Sequence, residues 1–195
     1  MSGSANQLNE AQLAMRLRQG DKKAVEELFS AYFDRLYSLV FYEVSGDRSA
    51  AEDIAQETFL SALKSIKSYR KQSRPYTWLV GIAHHKIADY YRRRKRASRR
   101  GEEPLPSETM DVEQIQDSRT AIVDIIESAE MRAVVEQALS SLPLDYRQVL
   151  LLKYVEEMSV LEISQIMGRS PKSVEGLLSR ARKALRANLS TQDKG

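Results

Sequence analysis

The sequence contains no cysteine and no apolar run of about 18 residues, the length that spans a bilayer. Without cysteine the chain cannot form disulfides, thiolate zinc sites or a cysteine nucleophile, so any redox response must come through a partner. The first residues also lack the basic and then apolar pattern of a signal peptide. We therefore expect a cytoplasmic protein without membrane insertion.

Glycine and proline are scarce as well, with 8 and 5 residues in a chain of 195. Few positions therefore interrupt a helix, and apolar residues recur at three- and four-residue spacing in nearly every segment. This spacing is typical of amphipathic helices. The sequence predicts an all-α protein.

The apolar stripes predict four helices in the N-terminal half. Their expected limits are a first helix over about 10–19, a second from after Asp21 to near Gly46, a third introduced by a capping box of Ser49 and Glu52, and a fourth beginning after Pro75. Phe29 and Tyr32 belong to the apolar stripe of the second helix.

Charge is segregated along the chain although the net charge is only +3. Residues 92–100 carry seven basic side chains and no acid, whereas residues 101–130 are rich in Glu and Asp with Arg119 as their only basic residue. A basic face for polyanions followed by an acidic tether fits this pattern. Helical periodicity fades between about 98 and 117, which predicts a flexible linker between two small helical domains, 8–97 and 118–190.

The C-terminal domain contains the pattern of a helix-turn-helix. Ser159 and Glu162 form a capping box for the first helix, Gly168 suits the positive φ at its end, and Ser170 with Pro171 starts the second helix. The second helix directs an apolar face inward and leaves a polar face outward, with Lys172, Ser173, Gly176, Ser179, Arg180 and Lys183. This is how a recognition helix enters the major groove, although an ordinary helical hairpin with a basic solvated face fits the pattern too.

The fourth helix interleaves aromatic residues with cations, a combination that single-stranded nucleic acid binding uses. The residues are Tyr76, Trp78, Tyr90 and Tyr91 among Arg74, Lys86, Arg92 and Arg93. Tyr90 also continues the apolar stripe, which favours a core role, and Trp78 fits either role. The third helix carries a polar face with Glu52, Asp53, Gln56 and Glu57, a pattern that alone indicates only solvated surface.

His84 and His85 do not form a metal site. Adjacent residues on a helix point about 100 degrees apart, and Asp89 adds a single carboxylate, far short of a zinc or iron site. A helical hydrolase would need a nucleophile and a base at useful spacing, or a metal cluster, and the sequence has neither. We therefore expect no metal, no cofactor and no catalytic residues.

Four segments in this order resemble the extracytoplasmic-function sigma factors over most of the chain. They are AEDIAQETFLSAL, then PYTWLVGIAHHKIADYYRR, then the acidic linker, then LPLDYRQVLLLKYVEEMSVLEISQIMGRSPKSVEGLLSRARKALR. The resemblance implies that the N-terminal four-helix domain is sigma region 2 and the C-terminal domain is sigma region 4. It implies a non-enzymatic protein that binds core RNA polymerase and directs promoter recognition, DNA melting and transcription initiation.

The resemblance also implies roles for individual residues. Contacts to the clamp helices of the polymerase largest subunit would come from Asp53, Gln56, Glu57 and Leu60. Unpaired bases of the minus-ten element would be captured by Lys71, Gln72, Ser73, Arg74, Tyr76 and Trp78, and promoter backbone would be held by the basic helix end at Arg92 and Arg93. The minus-thirty-five element would be faced by Lys172, Ser173, Glu175, Gly176, Ser179, Arg180 and Lys183, and the surrounding region 4 surface would meet the polymerase flap.

Two departures from relatives are notable. His84 and His85 replace a common Arg-Asn pair, and Glu175, Gly176 and Leu177 replace a common Lys-Ser-Arg triplet. An acid at Glu175 removes a phosphate contact and can accept only from a base such as cytosine N4, so we hypothesise an atypical minus-thirty-five element.

Two questions remain open from the sequence. The family usually works under an anti-sigma factor, and the linker would let both domains fold around such a partner. A stand-alone helix-turn-helix regulator is the main alternative function, and a partner-binding adaptor is another. The regulator would bind duplex DNA without polymerase, but it leaves the N-terminal aromatic and acidic helices without a role.

Overall fold

A computed structural model of the protein describes residues 2–66, 69, 73–100 and 129–192. All regular structure within these ranges is helical, which confirms the predicted fold class. The helices are α1 (Ser2–Arg18), α2 (Lys22–Glu43), α3 (Arg48–Ser65), α4 (Pro75–Arg99), α5 (Ala129–Ser140), α6 (Leu144–Leu150), α7 (Val160–Met167) and α8 (Pro171–Gln192), with a π-helix (Leu151–Val155) that continues α6. Lys71, Gln72 and the linker beyond residue 100 lie outside the described residues.

The described residues form two compact units. The N-terminal unit contains those up to Val40 and those from Arg48 to Arg100, and the C-terminal unit contains Phe41–Asp47 with 129–192. The predicted N-terminal domain, 8–97, included residues 41–47. Helix α4 also continues to Arg99, past the predicted start of the linker, because the Arg, Lys and Ala residues at its end are good helix formers.

The N-terminal unit contains α1, α3, α4 and α2 up to Val40, which are the four helices predicted. Gly20 and Gly46 adopt positive φ angles of 76° and 82° in the turns that follow α1 and α2. The ring of Phe59 on α3 lies 5.0 Å from that of Phe29 and 5.9 Å from that of Phe33, both on α2. Since a short turn joins α2 to α3, these contacts give the antiparallel packing expected.

Two details of the predicted helices were wrong. Helix α1 begins at Ser2 rather than near residue 10, because its first turns lack the apolar periodicity on which the prediction relied. Helix α3 begins at Arg48, so Ser49 is already helical and cannot be its N-cap. Asp47 precedes the first helical residue, and Asp caps a helix as well as Ser does.

A buried polar cluster lies in the C-terminal unit. Glu43 is 2% exposed, and its Oε2 accepts a hydrogen bond of 2.7 Å from Nε2 of Gln148. The Arg147 guanidinium donates to the carbonyl oxygens of Glu43 at 3.0 Å and Ser140 at 3.1 Å. Burial raises the pKa of Glu43 to about 7, although the bond from Gln148 and the charge of Arg147 lower it and the charge of Glu156 raises it.

We expect the stability of the C-terminal unit to fall with rising pH because of Glu43. The pKa of Glu43 is about 7 in the folded protein and 4.5 in the unfolded chain, because burial favours the neutral carboxyl group. The contribution of Glu43 to the free energy of unfolding is therefore fully present below pH 4.5 and is lost as the pH rises through 7. The free energy of unfolding should be about 2 kcal/mol lower at pH 8 than at pH 5. Urea unfolding followed by hydrogen exchange at α6 measures it, and Glu43→Gln should remove the dependence. An unchanged dependence in that variant would exclude Glu43 as its source.

Candidate nucleic-acid interface

The helix-turn-helix is formed by α7 and α8, and its predicted turn chemistry is confirmed. Ser159 Oγ accepts from the Glu162 N–H at 3.2 Å, and Glu162 Oε2 accepts from the Ser159 N–H at 3.0 Å. Gly168 ends α7 at a φ of 61°, a left-handed conformation that glycine adopts without strain. Ser170 Oγ then accepts from the Ser173 N–H at 3.2 Å, which starts α8.

One face of α8 is buried and the other is accessible, so α8 has the two faces of a recognition helix. The buried residues are Val174, Leu177, Leu178 and Ala181, while Leu185 is half-buried. The predicted groove-facing residues divide into exposed Lys172, Glu175, Ser179, Arg180 and Lys183 and half-buried Ser173 and Gly176. A Cβ on Gly176 would meet only Nη1 of Arg180, at 3.5 Å, so packing does not require glycine there.

An aromatic cluster lies around the start of α4. The ring of Tyr69 is 4.9 Å from that of Trp78, and the ring of Tyr32 on α2 is 5.4 Å from that of Tyr76. The Arg35 guanidinium carbon lies 4.3 Å from the Tyr76 ring centroid. This cluster therefore contains π-faces and a cation, the groups that bind single-stranded nucleic acid.

The predicted minus-ten residues differ in accessibility. Tyr76 is buried at 5% exposure, Trp78 and Ser73 are half-buried, and Arg74 is exposed immediately before Pro75. Since Tyr76 is covered, its ring has little surface for a base. Trp78 is the more accessible aromatic residue.

Hydrogen bonds fix two tyrosines of this cluster. The Tyr32 hydroxyl donates to Oε1 of Glu10 at 3.2 Å, and the Tyr69 hydroxyl donates to the carbonyl oxygen of Ser73. Burial raises the pKa of both hydroxyls to about 12, assisted by the negative charge of Glu10. Both therefore remain protonated donors. Tyr32, Arg35 and Tyr69 were not predicted as members of this cluster, because their contacts with Tyr76 and Trp78 depend on tertiary packing.

The basic run lies on the last turns of α4. The negative end of the helix dipole stabilises cations at this position. Arg92 and Arg93 are exposed, and Arg92 forms an ion pair with Asp89. Arg94 Nη1 donates to the Tyr90 hydroxyl at 2.9 Å, and Tyr90 itself is half-buried. This helix end presents a dense positive charge suited to phosphate contact.

The polar face of α3 includes one large apolar side chain. Asp53, Gln56, Glu57 and Leu60 are all exposed and share one helix face. Leu60 is 56% exposed. Glu57 accepts a 3.0 Å ion-pair contact from Lys86 on α4. This face of α3 therefore combines acidic side chains with one accessible apolar side chain.

Phe29 belongs to the apolar stripe of α2 but is not a core residue. It is 45% exposed and stacks on Phe33 with 4.6 Å between ring centroids.

The His84 and His85 rings are 6.0 Å apart at an interplanar angle of 65°. Among the described residues no group of three or more His, Cys, Asp or Glu could hold a metal ion. The helices described here are all too short or too polar to cross a membrane.

Comparison with known structures shows similar folds. The sigma factor RpoE, solved in complex with the anti-sigma factor NepR from Bartonella quintana, has a TM-score of 0.69 at 20% identity and covers 85% of this chain and 96% of its own. CnrH, solved in complex with the cytosolic domain of CnrY, has a TM-score of 0.65 at 24% identity and covers 93% and 97%. At these identities the similarity establishes the fold alone.

Sequence comparison extends the similarity to both units. The family described as Sigma-70 region 2 matches residues 28–97, and Sigma-70, region 4 matches residues 132–185. The ECF RNA polymerase sigma factor SigW of Bacillus subtilis is 32% identical over 175 residues, which cover 89% of this chain and 93% of SigW. The ECF RNA polymerase sigma-E factor of Haemophilus influenzae is 31% identical over 189 residues, covering 93% and 95%. The chain therefore belongs to the extracytoplasmic-function family of RNA polymerase sigma factors.

Proposed function

We propose that this sigma factor binds core RNA polymerase through the exposed face of α3 and through the region 4 surface that meets the flap. The observation that carries the first contact is Leu60, which is 56% exposed among Asp53, Gln56 and Glu57. An apolar side chain surrounded by acids combines the apolar contact and the charge that make an interface strong and specific. The protein acts in the cytoplasm and is not an enzyme.

Promoter recognition is divided between the two units in this proposal. The start of α4, with Ser73, Arg74 and Trp78, binds the unpaired strand of the minus-ten element, together with Lys71 and Gln72, and Arg92 and Arg93 hold the backbone. The exposed face of α8 binds the minus-thirty-five element in the major groove. Extruding bases costs a few kcal/mol, which the aromatic cluster and the phosphate contacts offset.

Dependence on polymerase distinguishes this function from a stand-alone regulator. DNase footprints on promoter DNA should show protection at both elements only when core polymerase and the protein are both present. Permanganate reactivity of thymines should appear at the minus-ten element in the same reactions. Protection by the protein alone at the same concentration, unchanged by polymerase, would contradict the proposal and favour the regulator.

Control by an anti-sigma factor is part of the proposed function. RpoE was solved with the anti-sigma factor NepR and CnrH with the cytosolic domain of CnrY, and the fold of this chain is similar to both. An inhibitor that covers the exposed face of α3 would prevent polymerase binding. Purification from native cells should recover such a protein in a fraction that contains no polymerase. Recovery of polymerase and never of an inhibitor would contradict this part.

The exposed acid Glu175 is expected to alter the minus-thirty-five element. Glu175 lies on the accessible face of α8, where a carboxylate repels phosphate and accepts only from base amino groups. Selection from a randomised minus-thirty-five region should return an element different from the usual one of the family. Glu175→Lys should shift the selection towards that usual element and raise affinity about 10-fold. Return of the usual element by the unaltered protein would refute the role of Glu175.

A further inference from the structure

Arg35 is an exposed residue of α2 whose guanidinium is held in place by α4. Its guanidinium carbon lies 4.3 Å from the centroid of the Tyr76 ring, within the range of a cation–π contact. Tyr76 is the second residue of α4, and it is 5% exposed. The Tyr76 ring is therefore fixed in position. Its contact with the Arg35 guanidinium holds this cation of α2 at the start of α4.

The surroundings of Arg35 match those of a nucleic acid contact. Tyr32, one helical turn earlier on α2, has its ring 5.4 Å from that of Tyr76. Arg74 is exposed and immediately precedes α4, so two cations lie at the same helix start. Glu10, which Tyr32 binds at 3.2 Å, is an acid of the same cluster and would repel a phosphate if no cation were present.

Preorganisation makes Arg35 better suited to bind a phosphate than an unrestrained surface arginine. An arginine loses side-chain freedom when it binds a phosphate, and this loss opposes binding. Contact with Tyr76 removes part of that freedom in the free protein. A guanidinium that stacks on a ring still has N–H donors at its edge, and these donors match the oxygens of a phosphate.

We propose that Arg35 is a further promoter-binding residue, which contacts a backbone phosphate of the unpaired minus-ten strand where the strand passes the start of α4. Tyr76 is then a positioning residue that acts through Arg35 and does not itself stack on a base. This inference rests on the proposed function, because it assumes that the start of α4 binds the minus-ten element. It assigns to α2 a role in binding the minus-ten element, which the sequence predicted only for α4 and the preceding loop.

The test measures binding of the reconstituted holoenzyme to a fluorescent single-stranded minus-ten oligonucleotide by anisotropy, over a series of salt concentrations. Arg35→Ala should weaken binding about 10-fold and reduce the slope of log K against log salt by about 0.7, the value for one phosphate contact on a single strand. Arg35→Lys should retain most of the slope because it keeps the charge. Arg18→Ala is the matched control, since Arg18 is exposed on the last turn of α1, and it should bind like the unaltered protein.

A double-mutant cycle separates Arg35 from Tyr76. Tyr76→Phe keeps the aromatic platform and should bind normally, and Tyr76→Leu should weaken binding about 3-fold. Arg35→Ala combined with Tyr76→Leu should bind no more weakly than Arg35→Ala alone. Independent, additive losses would overturn the positioning role of Tyr76.

The outcomes distinguish failure of the inference from failure of the proposed function. If the unaltered holoenzyme binds the oligonucleotide and Arg35→Ala binds it with the same affinity and salt slope, Arg35 makes no phosphate contact and the inference is wrong. If the unaltered holoenzyme does not bind the oligonucleotide at all, the proposed function of α4 fails and the inference fails with it. Binding of each variant to core polymerase should be unchanged, and a loss there equal to the loss of DNA binding would also overturn the inference.

Discussion

Replacement of Asp53 and Leu60 together by alanine is expected to weaken binding to core RNA polymerase about 100-fold, or about 2.8 kcal/mol. Both side chains are exposed on one face of α3. The change removes an apolar anchor and a charge from the proposed interface, and truncation of such central residues has the largest effects in protein interfaces. Titration of labelled protein with core polymerase measures the dissociation constant. Stability should be unchanged, because both residues are on the surface.

The choice of Leu60 over Glu57 matters for the interpretation of this experiment. Glu57 accepts from Lys86 at 3.0 Å, so its removal would also disturb a contact between α3 and α4. Glu26→Ala provides the control, since it removes another exposed acid, on α2. Equal affinities for the double variant and the control would show that the polymerase does not dock on this face of α3.

Arg147→Ala is expected to lower the free energy of unfolding of the C-terminal unit by about 3 kcal/mol. Arg147 is 4% exposed and donates to the buried carbonyl oxygen of Glu43 and to the partly buried carbonyl oxygen of Ser140. Alanine would leave these acceptors without their donor and would create a cavity, and both effects destabilise a protein. Urea unfolding followed by hydrogen exchange at the amides of α6 reports on this unit specifically.

Arg169→Ala is the matched control for Arg147. Arg169 forms an ion pair with Asp145, but its side chain is 37% exposed, so water screens the interaction. Its loss should cost less than about 1 kcal/mol. A similar cost for the two variants would mean that the buried hydrogen bonds of Arg147 contribute no more than a surface ion pair.

Features that depend on neighbouring residues were predictable from the sequence. The turn of the helix-turn-helix needs a capping box at Ser159, a left-handed residue at Gly168 and a cap at Ser170, and the structure has all three. Each signal involves residues within four positions of one another, so no knowledge of tertiary structure was required. The prediction of Ser49 as the N-cap of α3 also relied on neighbouring residues alone. It was wrong because Asp47, two residues earlier, is an equally good cap.

Features that depend on packing between distant segments were not predictable. Arg35 and Tyr76 belong to different helices, and nothing in the spacing of either helix indicates their contact. Glu43 follows Leu36, Leu39 and Val40 at helical spacing, which was a signal that an acid is buried, but Gln148 as its partner is 105 residues away. Phe29 continues an apolar stripe that is wider than the buried face of α2. Periodicity identifies a face but not what covers it.

The most direct test of the central claim is run-off transcription with purified core polymerase on a library of promoter fragments, with and without this protein. We predict discrete transcripts that require the protein, and we predict that they are lost when Asp53 and Leu60 are both replaced by alanine. Transcripts from the same fragments without the protein, or no transcripts with it although it binds duplex DNA alone, would contradict its assignment as a promoter-directing subunit of RNA polymerase.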